Sequence, residues 1–436
     1  MKKAKYKHWW ALGLLVLSLR TEARDFHVEV NGNDANPGTP EQPFRTLQKA
    51  SEMLEPGDTC RVGHGVYPET VRPLRSGKFE HPIRYLAATG GTVTVTGVDE
   101  SASLGRPDGR SRTWGFDLQG RSLIEISGFD LWAVGVNLTD ASYCRMENCR
   151  VWSAGEAGGI LIGGRENEVL GGSVVGCAGN GVTFLPDSVN NRTSGLLVRD
   201  VPRGYGLVVA GTAQTVRHTT VLDSAEGAVL CSNLYNGRLL YNDFGRTNGA
   251  GSVRPLVQIT GNGKGTVLAY NWIHDQEARG GDGVLLEGPA ENYLLHHNVI
   301  WGHSGSALRL KGAVQYCLFF NNTFSLNGVC LDREGVGGAK GLRFFNNLFA
   351  GTVWPKTGGQ PDEGVIWEKN YVGMVPGFTN VPARPFSLAA DSPCIDAGQD
   401  EPELTDPFRG VSPDAGAYEF GGDYPVPGHT GVETGK

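Results

Sequence analysis

From residue 25 onward the apolar residues come in short alternating runs, each soon broken by glycine, asparagine or aspartate. Apolar–polar alternation predicts strands, and these runs are too short for helices. A first strand is expected over 26–30, followed by the turn Asn31-Gly32-Asn33-Asp34. Thr46 is placed to cap a helix on which Leu47, Ala50 and Leu54 share one face, and Pro56-Gly57 ends it. Further short strands are expected around 60–62, 83–87 and 92–96.

From about residue 120 the pattern repeats. Tyr241-Asn242-Asp243-Phe244, Tyr270-Asn271-Trp272-Ile273, His297-Asn298-Val299-Ile300, Asn321-Asn322-Thr323-Phe324 and Asn346-Asn347-Leu348-Phe349 align with asparagine second in each. Positions 242, 271, 298, 322 and 347 are 29, 27, 24 and 25 residues apart. Weaker copies run back through Asn148, Gly172, Asp200 and Thr220. Each copy is followed by a glycine-led strand, such as Gly206-Leu207-Val208-Val209 or Gly283-Val284-Leu285-Leu286. Repeats of this length, with short strands and no room for a helix, predict a β-solenoid whose coils stack about 4.8 Å apart. The asparagines then have a mechanical role: their amides stack at one turn and bond to each other and to turn backbone.

Composition narrows the classes. The 64 glycines among 436 residues follow no three-residue period, which excludes collagen. With 46 acidic against 39 basic residues the net charge is −7, giving no reason to expect a nucleic-acid partner. An enzyme, a carbohydrate binder and a structural solenoid remain. The basic start (Lys2, Lys3, Lys5, Lys7), the apolar run 9–19 and Thr21-Glu22-Ala23 read as a signal peptide over 1–23, so the protein is expected to be secreted or periplasmic. That run is too short for a membrane span, and no later stretch reads as one. The eight cysteines are scattered without C-x-x-C pairs and read as small buried hydrophobes, with one or two disulfides open after export.

The repeat resembles the right-handed parallel β-helix of pectate-lyase-like proteins. The opening, His27-Val28-Glu29-Val30-Asn31-Gly32-Asn33-Asp34 through Pro43-Phe44-Arg45-Thr46-Leu47, Pro56-Gly57-Asp58 and Gly65-Val66-Tyr67-Pro68-Glu69-Thr70-Val71, resembles that of secreted β-helix proteins related to glycoside hydrolase families 120 and 141 and of some polysaccharide lyases. The end, Ser392-Pro393-Cys394-Ile395-Asp396-Ala397-Gly398 to Asp414-Ala415-Gly416-Ala417-Tyr418-Glu419, is similar to a common tail of such proteins. The resemblance implies an all-β, right-handed parallel β-helix, a single-stranded solenoid with an N-terminal capping helix. Its parts are a signal peptide (1–23), an N-terminal cap and first coils (24–119), β-helix repeats (120–384) and a C-terminal cap and tail (385–436). Fold does not give reaction.

Outward strand positions of a solenoid form columns. Aligning the glycine-led strands turns Val284, Leu286, Leu308, Leu310, Val329 and Leu331 inward, and Gln258, Thr260, Leu285, Glu287, Arg309, Lys311, Cys330, Asp332 and Glu368 outward. Glu287, Lys311 and Asp332 are then expected to share one column with Arg309 beside them, while earlier coils put Thr139, Gly163, Leu185, Ala210 and Cys231 there. Charge is thus confined to the later coils, as a localised site requires; a salt-bridge ladder on a solvated sheet gives the same pattern.

Two coils separate Glu287 from Asp332, roughly 9 to 10 Å, near the upper end for an inverting carboxylate pair. Asp332 and Glu368, one coil apart, fall near the roughly 5 Å of a retaining pair. A lyase needs instead a cation for the uronate and a base for the C5 proton, for which Lys311, Arg309 and His303 are candidates. No cofactor is required by either chemistry; Ca2+ enters if Asp282 and Glu287 converge. Gly302-His303-Ser304-Gly305 with Arg309-Leu310-Lys311 also faintly resembles segments of polygalacturonases, which puts Asp282 and His303 at a groove edge, although the adjacent Asp-Asp pair of those enzymes is missing. His274, His296 and His297 read as turn or outward packing, and Trp272, Trp301 and Trp367 as packing rather than sugar platforms. The long turns 247–255, 276–283 and 351–364 flank the same half.

Together these features point to a monomer acting on a polysaccharide. Hydrolysis by Glu287, Asp332 and Asp282, with Lys311, comes first, and Arg309, His303, Glu368 and Gln258 bind substrate. A lyase on uronic-acid glycans and a non-catalytic glycan-binding solenoid are the alternatives.

Overall fold

The chain folds, in a computed structural model, into a parallel β-solenoid, described for residues 23–97, 113–247, 254–276, 280–334, 340–353, 364–379, 385–405 and 407–429. The expected signal segment lies outside the described residues except for its last position. Successive short strands enter three parallel sheets in turn, of 14 (sheet A), 13 (sheet B) and 10 strands (sheet C). Sheet A runs from Asp25–Val28 to Val365–Glu368, sheet B from Gly65–Tyr67 to Tyr371–Val372, and sheet C from Trp114–Asp117 to Val329–Glu334.

Equivalent inward residues stack on one another. Phe319 lies on Phe344 at 4.4 Å and Phe324 on Phe349 at 4.8 Å, both nearly coplanar, in a continuous core of valine, leucine, isoleucine and phenylalanine. Burying one such side chain contributes roughly 1.5–3 kcal/mol. All eight cysteines are buried free thiols, as the sequence suggested, seven within this core and Cys394 in a smaller cluster with Leu348, Leu388 and Ala415, and none forms a disulfide.

The asparagine ladder forms at the corner between sheets A and B. Each Asn Nδ2 donates to the Oδ1 of the next coil and to a carbonyl of the previous one: Asn271 to Asn298 (2.9 Å) and Leu239 (2.9 Å), Asn298 to Asn322 (2.9 Å) and Leu268 (2.8 Å). It continues to Asn370. The residue before each asparagine takes a left-handed conformation, as at Tyr241 (φ 57°), Tyr270 (57°) and His297 (53°), which turns the chain sharply. Upstream the register differs from that expected: Thr220 pairs with Asp243, so Thr219 is the equivalent of Asn242, and by the same pairing Leu196, Gly172 and Cys149 precede it. Only Gly172 of the earlier copies was aligned correctly. A second buried ladder, Asn167–Asn191–Gln214, occupies another corner in the earlier coils.

The only helix among the described residues, α1 (Leu47–Met53), is capped by Thr46, whose Oγ1 accepts from Lys49 N at 3.1 Å. The Glu69 carboxylate accepts from Leu47 N (2.9 Å) and Gln48 N (2.8 Å), and Asp34 accepts from the Thr46 amide and hydroxyl. Leu47 and Ala50 join the core beside Phe26 and Cys60.

The C-terminal segment runs back along the A–B corner. Gln399 meets Asn346, Asp414 and Gly416 carbonyls accept from Asn321, Tyr418 accepts from Trp272 Nε1 (2.7 Å), Gly428 N donates to Tyr241 O (2.8 Å) and His429 reaches Gly195 O (2.6 Å). Three carboxylates hold it in shape by accepting its own amides: Asp396 from Val411 (2.8 Å), Asp414 from Asp396 (2.7 Å) and Glu419 from Asp414 (2.8 Å).

Candidate functional site

The charged positions of sheet C come from three consecutive strands, Val284–Glu287, Ser306–Lys311 and Val329–Glu334. Val284, Leu286, Leu308, Leu310 and Leu331 point inward and are buried, which turns the intervening residues outward. At the start of the third strand the expectation fails: Cys330 is buried and Val329 is partly exposed. Cys231 is likewise buried, paired with Ile259 rather than standing in the charged column.

Register corrects the expected column. Leu285 pairs with Arg309 and Arg309 with Asp332, whereas Glu287 pairs with Lys311 and Lys311 with Glu334. Asp332 therefore stands in the Arg309 column, two residues along the strand from the column of Glu287 and Lys311. Two coils plus that offset separate the Cα atoms of Glu287 and Asp332 by about 12 Å. Glu368 is not in this sheet. Its strand, Val365–Glu368, pairs with Leu342–Phe345 in sheet A, where Glu368 bonds Arg343 at 2.8 Å. The expected Asp332–Glu368 pair does not exist.

What remains forms one ionic cluster. Lys311 Nζ lies 3.1 Å from Glu287 Oε1, Arg309 Nε lies 3.2 Å from Asp332 Oδ2, and Arg309 Nη2 lies 3.3 Å from Asp282 Oδ1. Asp282 is buried and also accepts from Ser306 N at 2.7 Å, so it anchors Arg309 from beneath. The Glu287 and Asp332 side chains are about a third exposed, one on each side of the Ser306–Lys311 strand. Gln258 Nε2 reaches Glu287 Oε2 at 3.5 Å. Asp282 and Glu287 each face a different cation rather than one another, and among the described residues no three His, Cys, Asp or Glu converge on a point.

Three members were not foreseen. Tyr205 OH donates to Gln258 Oε1 (3.4 Å) and accepts from Arg254 Nη1 (3.3 Å), and Arg254 Nε lies 2.6 Å from Glu226 Oε2. Glycine was the readable signal: Gly227 stands opposite Tyr205, and a Cβ there would come within 3.2 Å of the ring. Arg254 follows residues 248–253, which, like 277–279 and 354–363 in the other long turns, lie outside the described residues.

His303 is no groove-edge group. It is buried at the turn, with Nε2 3.1 Å from Ile273 O, and burial pulls it down to about 4. The neutral ring donates from Nε2. An unfolded histidine titrates near 6.5, so this ring's stabilising effect is complete above that pH and is lost as pH falls toward 4. His303→Gln, which retains a donor for Ile273 O, should lose about 2 to 3 kcal/mol less than the parent between pH 7 and 4.5. Urea midpoints at the two pH values measure this. His274 behaves oppositely: burial lowers it, but the hydrogen bonds it donates to Asp243 (2.7 Å) and Asp275 (2.8 Å) outweigh that and hold it at about 9, stacked on Trp301. His296 and His297 meet through their Nδ1 atoms at 2.9 Å, because the left-handed His297 escapes the alternation of a straight strand.

Two solved structures align over most of the chain. A pectate lyase, Pel9A, matches with a TM-score of 0.52 at 16% identity, covering 92% of this chain and 97% of its own. A PL6 family polysaccharide lyase from Pseudopedobacter saltans matches with a TM-score of 0.57 at 14% identity, covering 83% and 97%. The fold is that of the pectate-lyase-like parallel β-helix. Sequence similarity is more local. Residues 30–74 match a family described as a protein of unknown function, DUF1565. An uncharacterized Bacillus subtilis protein, YwoF, is 39% identical over 71 residues, 16% of this chain and 15% of the relative's length. In this β-helix the stretch 30–74 holds Asp34, Thr46 and Glu69, which fasten the start of α1, and it lies at the opposite end of the solenoid from the charged strands.

Proposed function

We propose that this β-helix is a carbohydrate-active enzyme that binds a polysaccharide on the outer face of sheet C and hydrolyses it. One observation carries the reading: two partly exposed carboxylates, Glu287 and Asp332, flank the Arg309–Lys311 pair from the coils on either side. A glycosidase that inverts needs two carboxylates on opposite sides of the bond with room for water. The roughly 12 Å between their Cα atoms leaves such room once the side chains lean in. In this mechanism one carboxyl protonates the leaving oxygen and the other takes a proton from the attacking water. Arg309 and Lys311 hold sugar hydroxyls, and Gln258 and Tyr205 extend the contact toward the earlier coils. The network's acids (Glu226, Asp282, Glu287, Asp332) match its cations (Arg254, Arg309, Lys311) closely enough to suit an uncharged glycan.

Glu287→Gln and Asp332→Asn should each lower kcat/KM about 10²- to 10⁴-fold with little change in melting temperature, as expected for losing a general acid or base. Reducing-end assays on neutral polysaccharides measure this. Full activity in both variants overturns the assignment.

A second reading, β-elimination on a uronic-acid glycan, is favoured by the two cations at the centre of the cluster, which can neutralise the uronate carboxylate. Absorbance of an unsaturated uronide separates the two, since hydrolysis creates none. The same reading makes the protein an exported monomer, with α1 closing the N-terminal end of a right-handed helix. No helix among the described residues is long and apolar enough to cross a membrane.

A further inference from the structure

Away from sheet C, the returning C-terminal segment encloses a cavity of about 300 Å³ against the A–B corner. Tyr241, Tyr270 and His297 form one wall, and Arg409, Glu419 and Tyr424 the other. We propose that this cavity is a second, non-catalytic carbohydrate site that takes one uncharged sugar unit.

The first wall is rigid. Tyr241 and Tyr270 stack at 4.8 Å, and Tyr270 and His297 at 4.8 Å, each ring carried by a left-handed residue that precedes an asparagine of the corner. Stacking consumes the ring faces, so the wall meets a ligand with its edges. Neither the Tyr241 nor the Tyr270 hydroxyl has a hydrogen-bond partner among the described residues, although burial is deep enough to push the Tyr270 phenol up. Both rings are only partly buried, so these hydroxyls remain open to a ligand that brings hydroxyls of its own.

The second wall supplies complementary groups. Tyr424 OH accepts from Glu419 N at 3.0 Å and keeps its own proton to donate. Each Glu419 oxygen accepts one backbone N–H, from Asp414 (2.8 Å) and Arg409 (3.3 Å), which leaves further lone pairs. Burial pushes this carboxyl up to about 7, so near neutrality it both accepts and donates. Two acids, Glu419 and Asp423, stand against one Arg409, which gives an anionic sugar no net attraction. The volume sits at the small end of ligand pockets and fits a single unit rather than a polymer segment. Because the corner lies between sheets A and B, such a site would hold a glycan without competing for sheet C, raising the local concentration of chain there.

The test uses the full chain and the methyl glycosides of glucose, galactose, mannose, xylose and N-acetylglucosamine, with galacturonate for comparison, followed by ligand-observed NMR titration. At least one neutral glycoside should bind saturably and more tightly than galacturonate. Tyr270→Phe keeps the ring stack and should weaken that binding roughly tenfold at an unchanged melting temperature. Tyr424→Ala, on the tail wall, should weaken it at least as much. Cleavage of polysaccharide by either variant should match the parent. The proposal is overturned if no neutral glycoside saturates the folded protein, if galacturonate binds best, or if both variants bind as the parent does.

Discussion

Asn298→Ala should destabilise the solenoid by roughly 3–6 kcal/mol, among the largest single-residue effects in this chain. The Asn298 Oδ1 accepts both Asn271 N (3.1 Å) and Asn271 Nδ2 (2.9 Å), and its Nδ2 donates to Leu268 O (2.8 Å) and Asn322 Oδ1 (2.9 Å), all within a fully buried corner. Truncation removes these partners at once and leaves buried donors and a carbonyl unpaired, each costing about 1–3 kcal/mol. Asn298→Asp should be no remedy, because a carboxylate cannot donate to Leu268 O. Asn190→Ala supplies the contrast: that side chain is exposed and bonds Glu166, so the change should cost only about 1–2 kcal/mol, mostly from placing alanine at a left-handed φ of 55°. Urea unfolding read by circular dichroism gives both values. An Asn298→Ala protein with the parent's midpoint would mean that the ladder decorates the corner rather than holding it.

Arg309→Met should cost about 3–5 kcal/mol in stability as well as activity. The reason lies beneath it. Asp282 is nearly inaccessible, and Arg309 Nη2 at 3.3 Å is a cation that compensates its charge. Methionine keeps the apolar stem and removes that charge, leaving the carboxylate buried without it. The double variant Arg309→Met/Asp282→Asn should recover much of the loss, since the amide still accepts from Ser306 N. A double-mutant cycle measures the coupling, expected at about 1–3 kcal/mol. Lys311→Met is the counterpart at a more exposed ion pair, where the Glu287 partner meets water and the stability change should stay below about 1 kcal/mol. Equal losses for the two variants would contradict the anchoring role of Asp282.

These two cases show what a single sequence carries for a solenoid. The asparagines at 242, 271, 298, 322 and 347 were readable because each buried amide of the ladder bonds to the next, so through these coils the residue type repeats with the structure. Inward positions such as Leu286, Leu308 and Leu310 were readable for the same reason: burial repeats. The outward charges were legible as a cluster and misread in detail. Val329 pairs with Ser306 rather than with Leu308, and that two-residue offset moves Asp332 from the Lys311 column to the Arg309 column. Glu368 was lost because Val365-Ile366-Trp367-Glu368 alternates equally well in any of three sheets, and nothing in a short strand marks which sheet it joins. Asp282 and His303 were recognised as turn residues, but polar residues at a turn give no sign of burial, which depends on how the neighbouring coils close over them. The tail's path along the corner was likewise invisible, since its contacts link positions such as 272 and 418 that share no repeat.

The central claim is that the outer face of sheet C acts on a glycan through Glu287 and Asp332. Its most direct test is a screen of the purified protein and its Glu287→Gln/Asp332→Asn double variant against neutral and uronic-acid polysaccharides, read by reducing ends and by unsaturated-uronide absorbance together. The account predicts reducing ends without absorbance on a neutral polysaccharide, abolished in the folded double variant. Silence of the parent on every glycan, or cleavage that survives in the double variant, would contradict it.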